Sequence, residues 1–195
     1  MHRPRAEPGS ITRHPCFEAE AGRRWGRVHL PVAGSCNIVC AYCDRKTDCV
    51  NESRPGVASR LMNPEEALEH LNRVLAARSD ISVVGIAGPG DPLASPEVTL
   101  ETLRLVRRHH PDLELCLSTN GLALPEYIRE FYAIGLRHLT LTINAVDPAV
   151  GGRIYRSVNF GGRDRPGIEG ASILLDRQRR GRGALRDYGV TFPYH

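Results

Sequence analysis

The chain has 195 residues, with 26 Lys+Arg against 22 Asp+Glu and a formal net charge of +4. That length holds one domain and can bury a sizeable core without disulfide staples, and 41% hydrophobic with 25% charged residues excludes a wholly disordered chain. The mild charge excludes a nucleic-acid-binding stripe and a polybasic membrane anchor. No apolar run approaches the ~20 residues of a membrane helix, and residues 1–10 have no apolar stretch of the kind a secretory signal carries. A cytoplasmic protein is expected, in which structural disulfides are rare.

Residues 1–25 are polar and basic and give no clear element; they form an arm ahead of a domain spanning 26–195. Val28 to Ala33 alternates like a short strand, although Pro31 is awkward in a central one. Asn63-Pro64-Glu65-Glu66 opens a helix with an N-cap, a first-turn proline and first-turn acids. Leu68, Leu71, Val74 and Leu75 make its apolar stripe. Ile81–Ala87 reads as a strand and Gly88-Pro89-Gly90-Asp91-Pro92 as the turn after it. Ser95-Pro96-Glu97 opens a helix that runs to Pro111. Leu113–Ser118 is the next strand, with Thr119-Asn120-Gly121 as its turn. Pro125 starts a helix that Gly135 closes as a left-handed cap. His138–Asn144 is a strand, Asp147-Pro148 begins a helix, Ile168–Arg180 is helical, and Tyr188–Phe192 reads as a last strand. The Arg-Gly-rich stretch near residue 181 reads as a flexible turn.

Strand–helix alternation with short connections implies a parallel sheet under helical cover. A barrel and an open doubly wound sheet both satisfy that pattern, and the strands favour the barrel. Leu113, Leu115 and Leu117 share one face, and Glu114, Cys116 and Ser118 the other. Leu139, Leu141 and Ile143 are likewise opposed to Thr140, Thr142 and Asn144. A parallel strand buried on both sides should be nearly all apolar, so two polar faces in succession imply a chamber. The fold class expected is α/β, a partial (β/α) TIM-like barrel. About five strands are legible, which leaves it incomplete.

The six cysteines stand at 16, 36, 40, 43, 49 and 116. Four fall within fourteen residues, a density that points to metal. Cys36, Cys40 and Cys43 have the spacing C-x3-C-x2-C directly after the first strand, where barrels of this kind carry their chemistry. Three thiolates on one tight loop suit three irons of a 4Fe–4S cluster, leaving the fourth iron open. The competing reading is structural zinc on Cys36, Cys40, Cys43 and Cys49. Zinc sites usually pair two short knuckles, and only one is visible here.

At these residues the sequence resembles the radical S-adenosylmethionine (radical SAM) superfamily. The resemblance implies that Cys36, Cys40 and Cys43 ligate a 4Fe–4S cluster whose open iron chelates SAM. One-electron reduction then cleaves SAM to a radical that abstracts a hydrogen atom. It further implies that Tyr42 packs near the adenine and that the Gly88–Asp91 turn contacts the SAM amino group through backbone. Glycine permits close backbone approach, and Asp91 can pair with an ammonium. Thr119, Asn120, Thr142 and Asn144, at the ends of the third and fourth strands, complete the expected cofactor-binding set.

Several segments together resemble a narrower family, NifB, which builds the core of the nitrogenase cofactor. They are His14-Pro15-Cys16, the C-x3-C-x2-C set, Glu52-Ser53-Arg54-Pro55-Gly56, Ala87–Pro92, Cys116–Pro125, and Thr140–Asn144 leading into Asp147-Pro148. This resemblance implies fusion of two 4Fe–4S clusters into an eight-iron precursor, with a carbide derived from a SAM methyl group. It implies that His29, Cys49 and Cys116 hold one auxiliary cluster and that Cys16 serves at or near the other. Glu52 would move protons and Arg54 would compensate anionic clusters. Implied partners are iron–sulfur cluster donors, a one-electron reductant, and downstream carrier or scaffold proteins. The family's later C-x-x-C-R motif is absent, since no cysteine follows Cys116, and the chain reads as the front part of a longer enzyme. A radical SAM enzyme for an organic substrate is the alternative, with no need of Cys16, Cys49 and Cys116; a zinc-binding module without catalysis is another.

Overall fold

A computed structural model of the chain describes residues 14–16, 19–43 and 60–188. Cys49, Glu52 and Arg54, implied as site residues by the resemblance, lie outside the described residues. The elements, in order, are α1 (Ala19–Arg24), β1 (Gly26–His29), β2 (Ile38–Cys40), α2 (Pro64–Ala77), β3 (Ile81–Ile86), α3 (Pro96–His109), β4 (Glu114–Thr119), α4 (Leu124–Ile134), β5 (His138–Leu141), α5 (Pro148–Ile154), β6 (Tyr155–Phe160), β7 (Arg163–Arg165) and α6 (Gly167–Asp187).

Strands β1, β3, β4 and β5 form one parallel sheet in that order. It is α/β architecture with helical connections, as the alternation predicts. Among the described residues the strands do not close into a barrel. Leu30, Leu71, Ile86, Leu103, Leu115, Leu117 and Phe131 are almost wholly buried in the main core. The start of α2 is a capping box: Asn63 Oδ1 accepts from Glu66 N at 2.8 Å, and Glu66 Oε2 accepts from Asn63 N at 3.0 Å. Gly135 closes α4 at φ 84°, as its position in the sequence predicts.

Four expectations need correction. The first strand is Gly26–His29, not 28–33; Pro31 has no N–H to give a ladder, and beyond it only an isolated parallel bridge, Ala33 with Pro89, is formed. Ile38–Cys40, inside the cysteine motif, is itself a strand. It pairs antiparallel with β6, and β6 pairs antiparallel with β7, so that the motif sits on a second, three-stranded sheet. The β6–β7 hairpin has a legible signal in Gly161-Gly162, whose positive φ values of 62° and 73° suit a two-residue turn. The Arg-Gly stretch near 181 is not a turn, because α6 runs through it to Asp187. The N-terminal arm carries a short helix, α1, where none was expected. Of the proposed strand at 188–192, Tyr188 is a turn residue after α6 and the rest lies outside the described residues.

Candidate functional site

Strand register builds the site. Cross-strand pairing aligns His29 with Gly85, Gly85 with Cys116, and Cys116 with His138, giving one row across all four parallel strands. A Cβ on Gly85 would stand 2.8 Å from His29 Cδ2 and 3.1 Å from its Nε2. The imidazole therefore lies over the glycine, on the side of the sheet that Cys116 shares.

His29, Gly85 and Cys116 of that row floor a cavity of about 360 Å³, lined also by His14, Cys16, Arg27 and Ser118, and further along by Thr140, Thr142 and Asn144. The alternation of polar residues in β4 and β5 thus marks a real chamber. Leu141 and Ile143 also reach its wall, because β5 ends at Leu141 and strict alternation ends with it. The arm contributes: Cys16 N donates to His14 Nδ1 at 3.3 Å, and the Arg27 guanidinium donates to Cys16 Sγ. His14 is fully buried. Burial first, and then the charges of His138, Arg27 and His29, bring its pKa down to about 3. Its ring tilts against that of His138 at 4.5 Å between centroids, and His138 Nε2 lies 3.5 Å from Glu114 Oε2.

Cys40 ends β2 of the second sheet, with Cys36 just before that strand and Cys43 just after it. Cys40 belongs to a small apolar cluster with Ile38, Leu122, Tyr155, Val158 and Leu174, and Cys36 and Cys43 pack against it. Cys43 N donates to Cys40 O at 3.3 Å, so the last two thiols share one tight turn. None of Cys16, Cys36, Cys40, Cys43 and Cys116 is in a disulfide. Among the described residues no three His, Cys, Asp or Glu side chains are arranged to hold one metal ion. Three thiols on one short segment, backed by apolar side chains, fit a polynuclear cluster, which takes one thiolate per iron.

The glycine turn and the residues after β4 lock the cysteine segment in place. Gly90 N donates to Ala33 O at 2.6 Å and Asp91 N to Ser35 O at 2.8 Å. A Cβ on Gly90 would come within 2.0 Å of Ser35 O, so glycine is required there by the cysteine segment itself. The Asp91 carboxylate is buried. It accepts from Leu93 N (2.9 Å), Asn120 N (2.6 Å) and Thr119 Oγ1 (3.0 Å to each oxygen). Burial pushes its pKa up, against the pull of those hydrogen bonds. Thr142 N donates to Thr119 O at 3.0 Å. Asn144 Nδ2 donates to Tyr42 Oη at 2.6 Å, joining the chamber wall to the cysteine loop. Gly88, also expected to touch a cofactor, lies half-buried just before this lock.

Three participants were not singled out as site residues from the sequence: Arg27, His14 and His138. Arg27 had a signal, since it stands two residues before His29 and therefore on the same face of β1. His138 had the same kind of signal, since it stands two residues before Thr140 on the polar face of its strand.

A family model described as the radical SAM superfamily matches residues 30–179. The chain belongs to the radical SAM superfamily. Among curated relatives it is 48% identical to the FeMo cofactor biosynthesis protein NifB of Chlorobaculum tepidum over 93% of this chain and 43% of that protein. It is 50% identical to that of Frankia alni (91% and 35%) and 45% identical to that of Azotobacter vinelandii (97% and 38%). The expected resemblance to NifB is borne out. The chain spans less than half the length of each of these relatives. Among solved structures, anSMEcpe with bound AdoMet matches with a TM-score of 0.55 at 19% identity, covering 86% of this chain and 42% of that one. That likeness shows the fold.

Proposed function

We propose that this chain is the radical SAM region of an enzyme of nitrogenase FeMo-cofactor biosynthesis, and that its chamber takes iron–sulfur clusters as substrate. Cys36, Cys40 and Cys43 would hold a resident 4Fe–4S cluster that binds SAM. When bound, that group supplies the one-electron cleavage of SAM from which radical chemistry starts. The chain's own residues orient and shield: Asp91 and Asn120 fix the cysteine loop, Asn144 positions Tyr42, and the apolar cluster around Cys40 excludes water.

The observation that carries the substrate class is the convergence of Cys16, His29 and Cys116 on one cavity with the Arg27 guanidinium. Thiolates and imidazole are iron–sulfur ligands, and a guanidinium offsets the charge of an anionic cluster. Cys16, implied at or near the other auxiliary cluster, lines the same chamber as His29 and Cys116, which suits two clusters brought together. The reaction proposed is fusion of two 4Fe–4S clusters into an eight-iron precursor, with a carbon atom delivered from a SAM methyl group. Cluster donors, a one-electron reductant and a downstream carrier would be the partners.

Anaerobic loading of the full chain tests this. Iron should exceed the roughly four atoms of a single cluster, and Cys116→Ala should bring it down to that level while the SAM-cluster EPR signal persists. Methyl-labelled SAM should deliver label to the cluster fraction. A single cluster untouched by Cys116→Ala would instead favour an organic substrate, and a colourless protein containing one zinc would defeat the enzyme reading.

A further inference from the structure

Asn120 sits just after β4, only 8% exposed, and every polar atom of the residue is engaged. Its N donates to Asp91 Oδ2 at 2.6 Å and its carbonyl accepts from Gln178 Nε2 at 2.8 Å. Its Oδ1 accepts from Leu122 N at 2.9 Å. Its Nδ2 donates to Asn37 Oδ1 at 2.8 Å and reaches Cys36 Sγ at 3.9 Å. Because Oδ1 already receives a backbone N–H, the amide cannot be flipped, and the NH2 group must face Asn37 and Cys36. One hydrogen goes to Asn37, and the other is directed at the sulfur.

We propose that Asn120 is a positioning residue that donates its side-chain amide to the Cys36 sulfur and thereby sets the reduction potential of the cluster Cys36 helps to hold. This rests on the proposed function, in that Cys36 is a cluster ligand. One electron from an external low-potential reductant adds one negative charge, part of which falls on the ligating sulfurs. An N–H dipole aimed at such a sulfur stabilises the reduced state more than the oxidised one, and hydrogen bonds to sulfur are a recognised lever on these potentials. Asp91 supports the arrangement one bond further out, by fixing the Asn120 backbone.

The test uses the full chain loaded anaerobically, with EPR-monitored redox titration. Asn120→Leu removes the donor without adding charge. Its reduction equilibrium should become about tenfold less favourable, a fall of 59 mV for a one-electron couple, at unchanged iron content. Asn37→Ala leaves the amide held by Leu122 N, with its second hydrogen still toward the sulfur, and should leave the midpoint close to that of the wild type. Protein labelled with 15N in asparagine side chains should show a nitrogen coupling to the reduced cluster that survives Asn37→Ala. Absence of that coupling in the wild type overturns the inference even if Asn120→Leu does not fold. So does an unchanged midpoint in a cluster-bearing Asn120→Leu. A wild-type chain that takes up no cluster at all overturns the proposed function, and this inference with it.

Discussion

Asp91 places a carboxylate in a site closed to water and surrounds it with donors from two connections, its own and the one after β4. Asp91→Ala would strand Leu93 N–H, Asn120 N–H and the Thr119 hydroxyl, each a buried donor costing about 1–3 kcal/mol. A total loss on the order of 3 kcal/mol is expected, read as a lower urea midpoint of the chain without cofactor. His14 gives the residue scale a pH signature. Its pKa of about 3 lies below the usual 6.5. Between those values the unfolded chain binds more protons, so stability rises with pH across the window. It is complete above pH 6.5 and is lost as pH falls toward 3. His14→Gln should flatten that part of the urea-midpoint profile; an unchanged slope would contradict the assignment. The sequence shows Asp91 and the His14 motif as positions of interest, but not these environments. The sequence shows that Asp91 can pair with an ammonium; the structure adds donors from connections far apart in the chain, Leu93 N, Asn120 N and the Thr119 hydroxyl.

At the scale of elements, period-two alternation reads well and register does not. Cys116 and Ser118 in β4, and Thr140 in β5, are legible as polar faces because each strand alternates within itself. The row of His29, Gly85, Cys116 and His138 depends on how strands align with one another, which no local pattern encodes. Helix α6 shows tertiary packing overriding propensity. Its glycines suggest a break, yet Leu185 is buried in the main core. Gln178 ties the helix to Asn120 O and Thr142 O at 2.8 and 3.0 Å. Gly→Ala in an exposed helix interior typically gains about 1 kcal/mol. Gly183, with nothing within 4 Å of a built Cβ, should show a gain of that kind. Gly181 should not, since a Cβ there would meet Leu124 Cδ2 at 2.9 Å. Urea midpoints that move in opposite directions for Gly181→Ala and Gly183→Ala would confirm the packing.

At the scale of the whole molecule, the described residues form two apolar clusters of unequal size. The larger lies under the parallel sheet; the smaller holds Ile38, Cys40, Leu122, Tyr155, Val158, Ala171 and Leu174. Burying a large apolar side chain is worth about 1.5–3 kcal/mol, so the second sheet has far less to hold it than the first. Polar ties contribute: Asn159 N to Asn37 O at 2.8 Å, Asn120 Nδ2 to Asn37 Oδ1 at 2.8 Å, and Asn144 Nδ2 to Tyr42 Oη at 2.6 Å. All three converge on the segment bearing Cys36, Cys40 and Cys43. A cluster bound by those thiols would add cross-links where the apolar contribution is smallest, and a group that binds only the folded form stabilises it by mass action. Removing iron with a chelator should therefore speed amide hydrogen exchange in β2, β6 and β7 while leaving β3 and β4 nearly unchanged. Equal acceleration in both sheets would mean that the molecule opens as one unit and that the cysteine sheet has no separate stability.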